Sequence, residues 1–123
     1  MTTVDLLLLL AMLFAKHTVA DFMIQTSYQY NNKHIYGHPG GVIHAGLHGI
    51  GTYLCIIWFV PAMALTLAIA DAVIHYHVDW VRKNITDHYN WRFDNNKYWW
   101  RLLGIDEYFH ALTYIGLVAV LVL

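Results

Sequence analysis

Four apolar stretches, over residues 4–28, 42–60, 62–82 and 102–123, account for most of the chain, and each carries polar residues at four-residue spacing near one end only. The sets are His17, Asp21 and Gln25 in the first, His44 and His48 in the second, His75 and Asp79 in the third, and Asp106 and His110 in the fourth. Residues four apart lie on one stripe of a helix, so each set predicts a polar stripe on an otherwise apolar helix. About 20 mostly apolar residues span a bilayer, and consecutive spans alternate in direction. The pattern therefore predicts an all-α, four-transmembrane-helix antiparallel bundle forming one integral membrane domain, 1–123. Residues 28–41, rich in Asn, His and Gly around Pro39, predict a surface loop. Residues 84–100, polar and aromatic, predict an interfacial loop or short helix between helices 3 and 4. Pro61 suits the first turn of the third helix after a tight reversal. The opening run resembles a secretory signal, but Asp5 stands where a positive n-region belongs and the helical pattern continues, so a membrane helix is expected.

Composition supports a membrane protein: 59% hydrophobic against 12% charged residues is beyond the usual globular range. Seven basic and eight acidic residues give no reason to expect nucleic acid as a partner. Cys55, the only cysteine, rules out an intrachain disulfide and reads as a small buried hydrophobe. Gly46, Gly49 and Gly51 predict close backbone approach in the second helix. Lys16, Lys33, Arg82, Lys83, Arg92, Lys97 and Arg101 all fall towards the face that carries the long loops. By the positive-inside rule, loops 1 and 3 are expected in the cytoplasm and both termini outside.

The nine histidines change the picture. From His17, His48, His75 and His110, about 13 apolar residues lead to the far end of each span, which at about 1.5 Å per residue is roughly 20 Å of a core about 30 Å thick. The four sets thus share one depth. An ionisable side chain there costs several kcal/mol unless it faces the interior, is paired or binds a metal. His17, Asp21, His44, His48, His75, Asp79, Asp106 and His110 are therefore candidate ligands for one or two divalent ions in the bundle core. Imidazole with carboxylate suits zinc first, then manganese or iron. Gln25 is placed to bond a ligand or substrate. Asp71, a turn deeper than His75, is placed as its hydrogen-bonding partner or as a proton carrier. Lys83 extends the third stripe and either meets an anionic headgroup or snorkels to the interface. His77 falls off the stripe, and His34, His38 and His88 fall in predicted loops.

The ordered motifs His-x3-Asp-Phe-x2-Gln at 17–25, His-x3-His at 44–48, His-x3-Asp-Trp at 75–80 and Asp-x3-His at 106–110 resemble the phage and bacterial integral membrane proteins grouped as domain of unknown function family 3307. That family's fourth motif has Gln after Asp, where this chain has Glu107. The pattern is more loosely similar to small membrane-bound metal-dependent hydrolases. The resemblance implies a bacterial inner membrane and a phage or bacterial origin, and names no activity.

The expected function is a membrane-embedded metal-dependent hydrolase acting on a lipid or lipid-linked phosphate or ester. Metal-activated water would attack, with Asp21 or Asp106 as general base. No Gly-x-Ser-x-Gly elbow or Gly-rich phosphate loop supports another hydrolase or kinase route. Rivals are di-iron oxygen chemistry, bis-histidine haem, a metal or proton transporter, and a non-catalytic phage membrane protein that modulates a host membrane partner. Transport needs polar residues across the whole bilayer, and only Asp71 lies deeper than the shared level.

Overall fold

The computed structural model describes residues 1–123 and is all-helical, without strands. Helix α1 (Thr3–Thr18) runs without a break into a π-helical turn, Val19–Met23. A short helix α2 (Ser27–Asn32) follows, then α3 (Pro39–Ile56), α4 (Pro61–His88) and α5 (Lys97–Val120). Local chemistry sets most of these ends. Thr2 and Asp5 form a capping box on α1, and Thr26 and Gln29 form another on α2. Pro39 and Pro61 occupy the first turns of α3 and α4, where a missing N–H costs nothing. Asn90, at φ 53°, takes the left-handed conformation just past α4, a position asparagine tolerates better than most residues. The Asn96 side chain accepts from the Tyr98 N–H to open α5.

The bounds differ from the sequence expectation in three places. The first helix ends at Met23 rather than near residue 28, because the π turn is followed by a break and Thr26 caps a new helix. The short helix lies in the first loop, not between the third and fourth long helices. In that second position α4 continues to His88 and α5 begins at Lys97, so the expected loop or helix is a loop over residues 89–96, shorter than the polar stretch 84–100.

Two segments are long and apolar enough to cross a membrane, Thr3–Met23 and Pro61–His88. The other two long helices are more dilute: α3 carries His44, His48 and several glycines, and α5 carries Asp106, Glu107 and His110. Contacts pair α1 with α3, α3 with α4, α4 with α5, and α5 with α1, so the four long helices enclose one interior. Gly49 lets α3 approach α4, since a Cβ there would meet Ala72 Cβ at 3.0 Å and Ala68 O at 3.1 Å. Gly51 instead makes room for the stem of Lys16, 3.2 Å from a would-be Cβ, and Gly46 faces open space.

That interior has two storeys. Leu9, Leu13, Cys55, Ile56, Ala64, Leu67, Tyr114 and Leu117 form a continuous apolar cluster. Towards the loops it gives way to His17, His44, His48, His75, Asp79, Asp106 and His110, all buried. The outer surface is the reverse: Leu8, Ile50, Leu54, Leu65, Ile69, Val73 and Ile115 are each at least half exposed.

Candidate metal centre

Each candidate ligand comes from a position that its helix aims inward. His17 lies in the last turn of α1, Asp21 in the π turn, His44 and His48 in the first half of α3, His75 and Asp79 in the second half of α4, and Asp106 and His110 in the first half of α5. The π turn matters because Ile24 N–H reaches back to Val19 O, one residue further than an α-helical bond. Such turns re-aim a side chain within an otherwise regular helix and recur at functional sites. Here Asp21 reaches three helices: its Oδ1 lies 2.9 Å from His44 Nε2, 3.0 Å from His48 Nε2 and 3.8 Å from His75 Nε2, while its Oδ2 lies 3.2 Å from His17 Nε2.

Asp79 is arranged in the same way. Its Oδ2 lies 3.1 Å from His75 Nε2 and 3.3 Å from His44 Nε2, and its Oδ1 lies 3.4 Å from His110 Nε2. His44 Nε2 and His75 Nε2 face each other at 3.1 Å, and His110 Nε2 is 3.5 Å from Asp106 Oδ1. Donors about 2.1 Å from one ion are separated by about 3.0 Å in octahedral and about 3.4 Å in tetrahedral coordination. The separations at His110 exceed the usual range of N–H···O hydrogen bonds but match those coordination edges. Indeed His110 Nε2 and Asp106 Oδ1 are buried without any hydrogen bond, as are His44 Nδ1 and His75 Nδ1. Four overlapping groups hold donors close enough to share an ion: Asp21 with His44, His48 and His75; His17 with His75 and His110; His17 with Asp21 and Glu107; and Asp79 with Asp106 and His110.

All eight ligands expected from the sequence meet here, and the chain thus carries several His and Asp groups able to bind metal. Of the three accessory residues, Asp71 departs from the expected partnership with His75, while Gln25 bonds the main chain of a candidate ligand and Lys83 turns away from the layer. Gln25 lies beyond the helix end and donates from Nε2 to Asp21 O, which steadies the π turn; its buried Oε1 has no partner. Asp71 bonds neither His75 nor any other ligand: it accepts from Lys16 Nζ and from Thr52 Oγ1, each at 2.6 Å. Lys83 leaves the layer altogether, donating to Asp87 at 2.6 Å on the solvent side and lying 4.9 Å over the Tyr30 ring.

Five participants were not anticipated. Lys16, expected on the loop face, turns inward, and its Nζ also donates to His48 O at 3.2 Å. Its position beside His17 within an apolar run was the available signal. Glu107 Oε2 is 2.8 Å from His17 Nε2, and Tyr114 OH is 2.8 Å from His17 Nδ1, which fixes that ring from both sides. Lys33 Nζ lies 2.7 Å from Asp79 Oδ2, reaching in from the first loop. That loop is fastened to α4 by Trp80 Nε1 and Asn84 Nδ2, both donating to His34 O at 3.1 Å, and by Gly37 N–H donating to Tyr76 OH. Arg82 Nε stands 3.6 Å from Asp106 Oδ2.

A small cavity of about 130 Å³ opens onto this layer, between Asp21, Gln25, Lys33, Asp79, Arg82 and Asp106. Compared with protein-family models, with curated proteins and with solved structures, the chain matches none.

Proposed function

We propose that this chain is a membrane-embedded hydrolase that uses two divalent ions, zinc first among the candidates, to cleave a lipid or lipid-linked phosphate or ester. The observation that carries the reading is the orientation of Asp21 and Asp79. Each turns one oxygen to the His44, His48 and His75 cluster and the other to the His17 and His110 side. A carboxylate with its two oxygens committed in two directions is suited to bridging a pair of ions, as in two-metal hydrolytic sites. His110 and Glu107 complete the second side.

The membrane setting rests on inversion: buried polar groups inside, large exposed apolar side chains outside, as lipid favours and water does not. On this reading all four long helices span as an antiparallel bundle in a bacterial inner membrane, with loops 1 and 3 cytoplasmic and both termini outside. Kinship with family 3307, and so a phage or bacterial origin, rests on the four ordered motifs alone.

Bound divalent ions would lower the pKa of a coordinated water and polarise the substrate oxygen. Of the two candidate bases, Asp106 suits the role better than Asp21. Both border the cavity, but Asp21 is committed to His17, His44 and His48, whereas Asp106 Oδ1 has no hydrogen bond. Asp106 accepts the water proton, the water oxygen bonds to the phosphorus or carbonyl carbon, and the bond to the leaving oxygen breaks. The proton then passes to the departing alkoxide.

Transport has one observation in its favour, the Lys16–Asp71–Thr52 cluster deeper than the ligands. Below it, however, Leu9, Leu13, Ile56, Leu67 and Leu117 close the interior without a polar group. The test is metal-dependent hydrolysis of long-chain phosphates and esters by purified protein, wild type beside Asp106→Asn. Turnover lowered about 100-fold or more at unchanged metal content supports the base assignment. A metal-loaded wild type inert towards every such substrate contradicts the hydrolase reading.

A further inference from the structure

Three cavities meet at shared residues, and their sequence from apolar to polar describes a ligand. Between α4 and α5 an apolar groove of about 400 Å³ is lined by Val78, Val81, Ile85, Leu102, Ile105 and Phe109, with Arg82 and Asp106 on its wall. Arg82 and Asp106 also line the small cavity over the metal layer. That cavity in turn shares Tyr30 and Trp99 with a third, about 540 Å³ and polar, under the loops, where Lys83, Arg92, Asn31 and Asn90 stand. The groove is open to the side and its members Val81, Ile105 and Phe109 are about half exposed.

The charges at the junction select what fits. Arg82 carries its guanidinium 5.1 Å over the Trp99 ring, and its buried Nε has no hydrogen bond. Lys33 faces the same cavity and has a carboxylate of the metal layer as its partner. Lys16 and Asp71 neutralise each other elsewhere. The layer itself then has the carboxylates of Asp21, Asp79, Asp106 and Glu107 against the cations of Lys33 and Arg82. With the histidines neutral, as metal ligands must be, two divalent ions would turn that deficit of two charges into an excess of two. In a low-dielectric interior such an excess calls for a dianion, and a phosphate monoester supplies one where a neutral ester does not. A guanidinium is also the side chain best shaped for phosphate oxygens.

We infer that the ligand is an amphiphile carrying a phosphate monoester: its apolar chain next to the phosphate lies in the α4–α5 groove, and its phosphate sits between Arg82, Lys33 and the metal layer. The loop cavity beyond Trp99 receives water or the departing polar product. This inference rests on the two-metal reading, and it assigns the lateral gap between α4 and α5 as the route from the bilayer. A lipid phosphate, rather than free phosphate, is the occupant, because only the lipid form fills the groove that shares Arg82.

The test uses native mass spectrometry of the full chain in a neutral detergent, with dodecyl phosphate, ethyl phosphate and dodecanol as probes and metal content measured on the same samples. Wild type should bind dodecyl phosphate at least about tenfold more tightly than either control, as expected when phosphate and chain each contribute 1.4 kcal/mol or more. Arg82→Gln should bring dodecyl phosphate down to the level of dodecanol. Val81→Trp, which fills the groove without replacing a candidate ligand, should bring it down to the level of ethyl phosphate, with metal content unchanged. Equal binding of dodecyl and ethyl phosphate by wild type would remove the groove from the account. Undiminished binding by a metal-loaded Arg82→Gln would remove the phosphate assignment. A wild type without metal that still shows both preferences would instead contradict the two-metal reading and leave the amphiphile site standing.

Discussion

On one side of Lys16 and Asp71 the four long helices meet through Leu9, Leu13, Ile56, Leu67 and Leu117; on the other they meet through five histidines and three aspartates. The same four helices build both storeys, and apart from the π turn that carries Asp21 the difference lies in side chains. The apolar storey holds together by packing, and any hydrophobe of similar shape would serve. The polar storey has no such freedom: every buried charge there needs a partner of opposite sign or an ion. Between them Lys16, Asp71 and Thr52 form a seam whose charges pair with each other, with Lys16 Nζ also bonded to His48 O on the polar side and no donor left over for a ligand. Burial of charge is thus not itself the mark of a site here. The mark is burial with donors left unpaired.

The comparison can be broken most forcefully at the seam. Asp71→Ala should leave the Lys16 ammonium buried and unpaired, costing about 3–5 kcal/mol in reversible unfolding from detergent. The apolar pair Lys16→Met with Asp71→Leu should recover most of that loss and keep its metal. If Asp71→Ala proves as stable as wild type, the seam does not hold the storeys together.

Next in size is the apolar storey. Leu13→Ala should cost about 2–5 kcal/mol, with metal content unchanged, because it removes packing and touches no ligand. Loss of metal in that variant would mean that the two storeys are not separable.

A smaller effect sharpens the polar side. Tyr114→Phe removes the hydroxyl that holds His17 Nδ1, and should weaken metal affinity by about 10–100-fold in competition with a chromophoric chelator. Unaltered affinity would show that His17 is oriented by Glu107 alone or does not ligate. The smallest effect belongs to Lys83→Ala, which breaks an exposed i,i+4 pair and should shift stability by no more than about 0.5 kcal/mol, at full metal content.

The polar storey was legible in the sequence because helical spacing and a shared distance from the span ends are both one-dimensional quantities. Counting residues from His17, His48, His75 and His110 was enough to bring four segments to one level. What escaped was reach. Lys16 has a stem long enough to turn inward across Gly51, and Lys33 arrives from a loop whose course depends on Trp80, Asn84 and Tyr76. The π turn at Val19–Met23 leaves no periodic signature in five residues, so Asp21 was placed on a stripe that in fact breaks before Gln25. Glu107 stood in view as the departure from the resembling family's pattern, and the structure puts it against His17.

The measurement that tests the central claim most directly is elemental analysis of detergent-purified protein, prepared without chelator, for wild type, His44→Ala and Asp79→Ala. On the proposed two-metal reading, wild type should hold about two divalent ions per chain and Asp79→Ala almost none. His44→Ala should keep roughly one, on the His17 and His110 side. A wild type free of metal, or an Asp79→Ala variant that holds as much metal as wild type, would contradict the account.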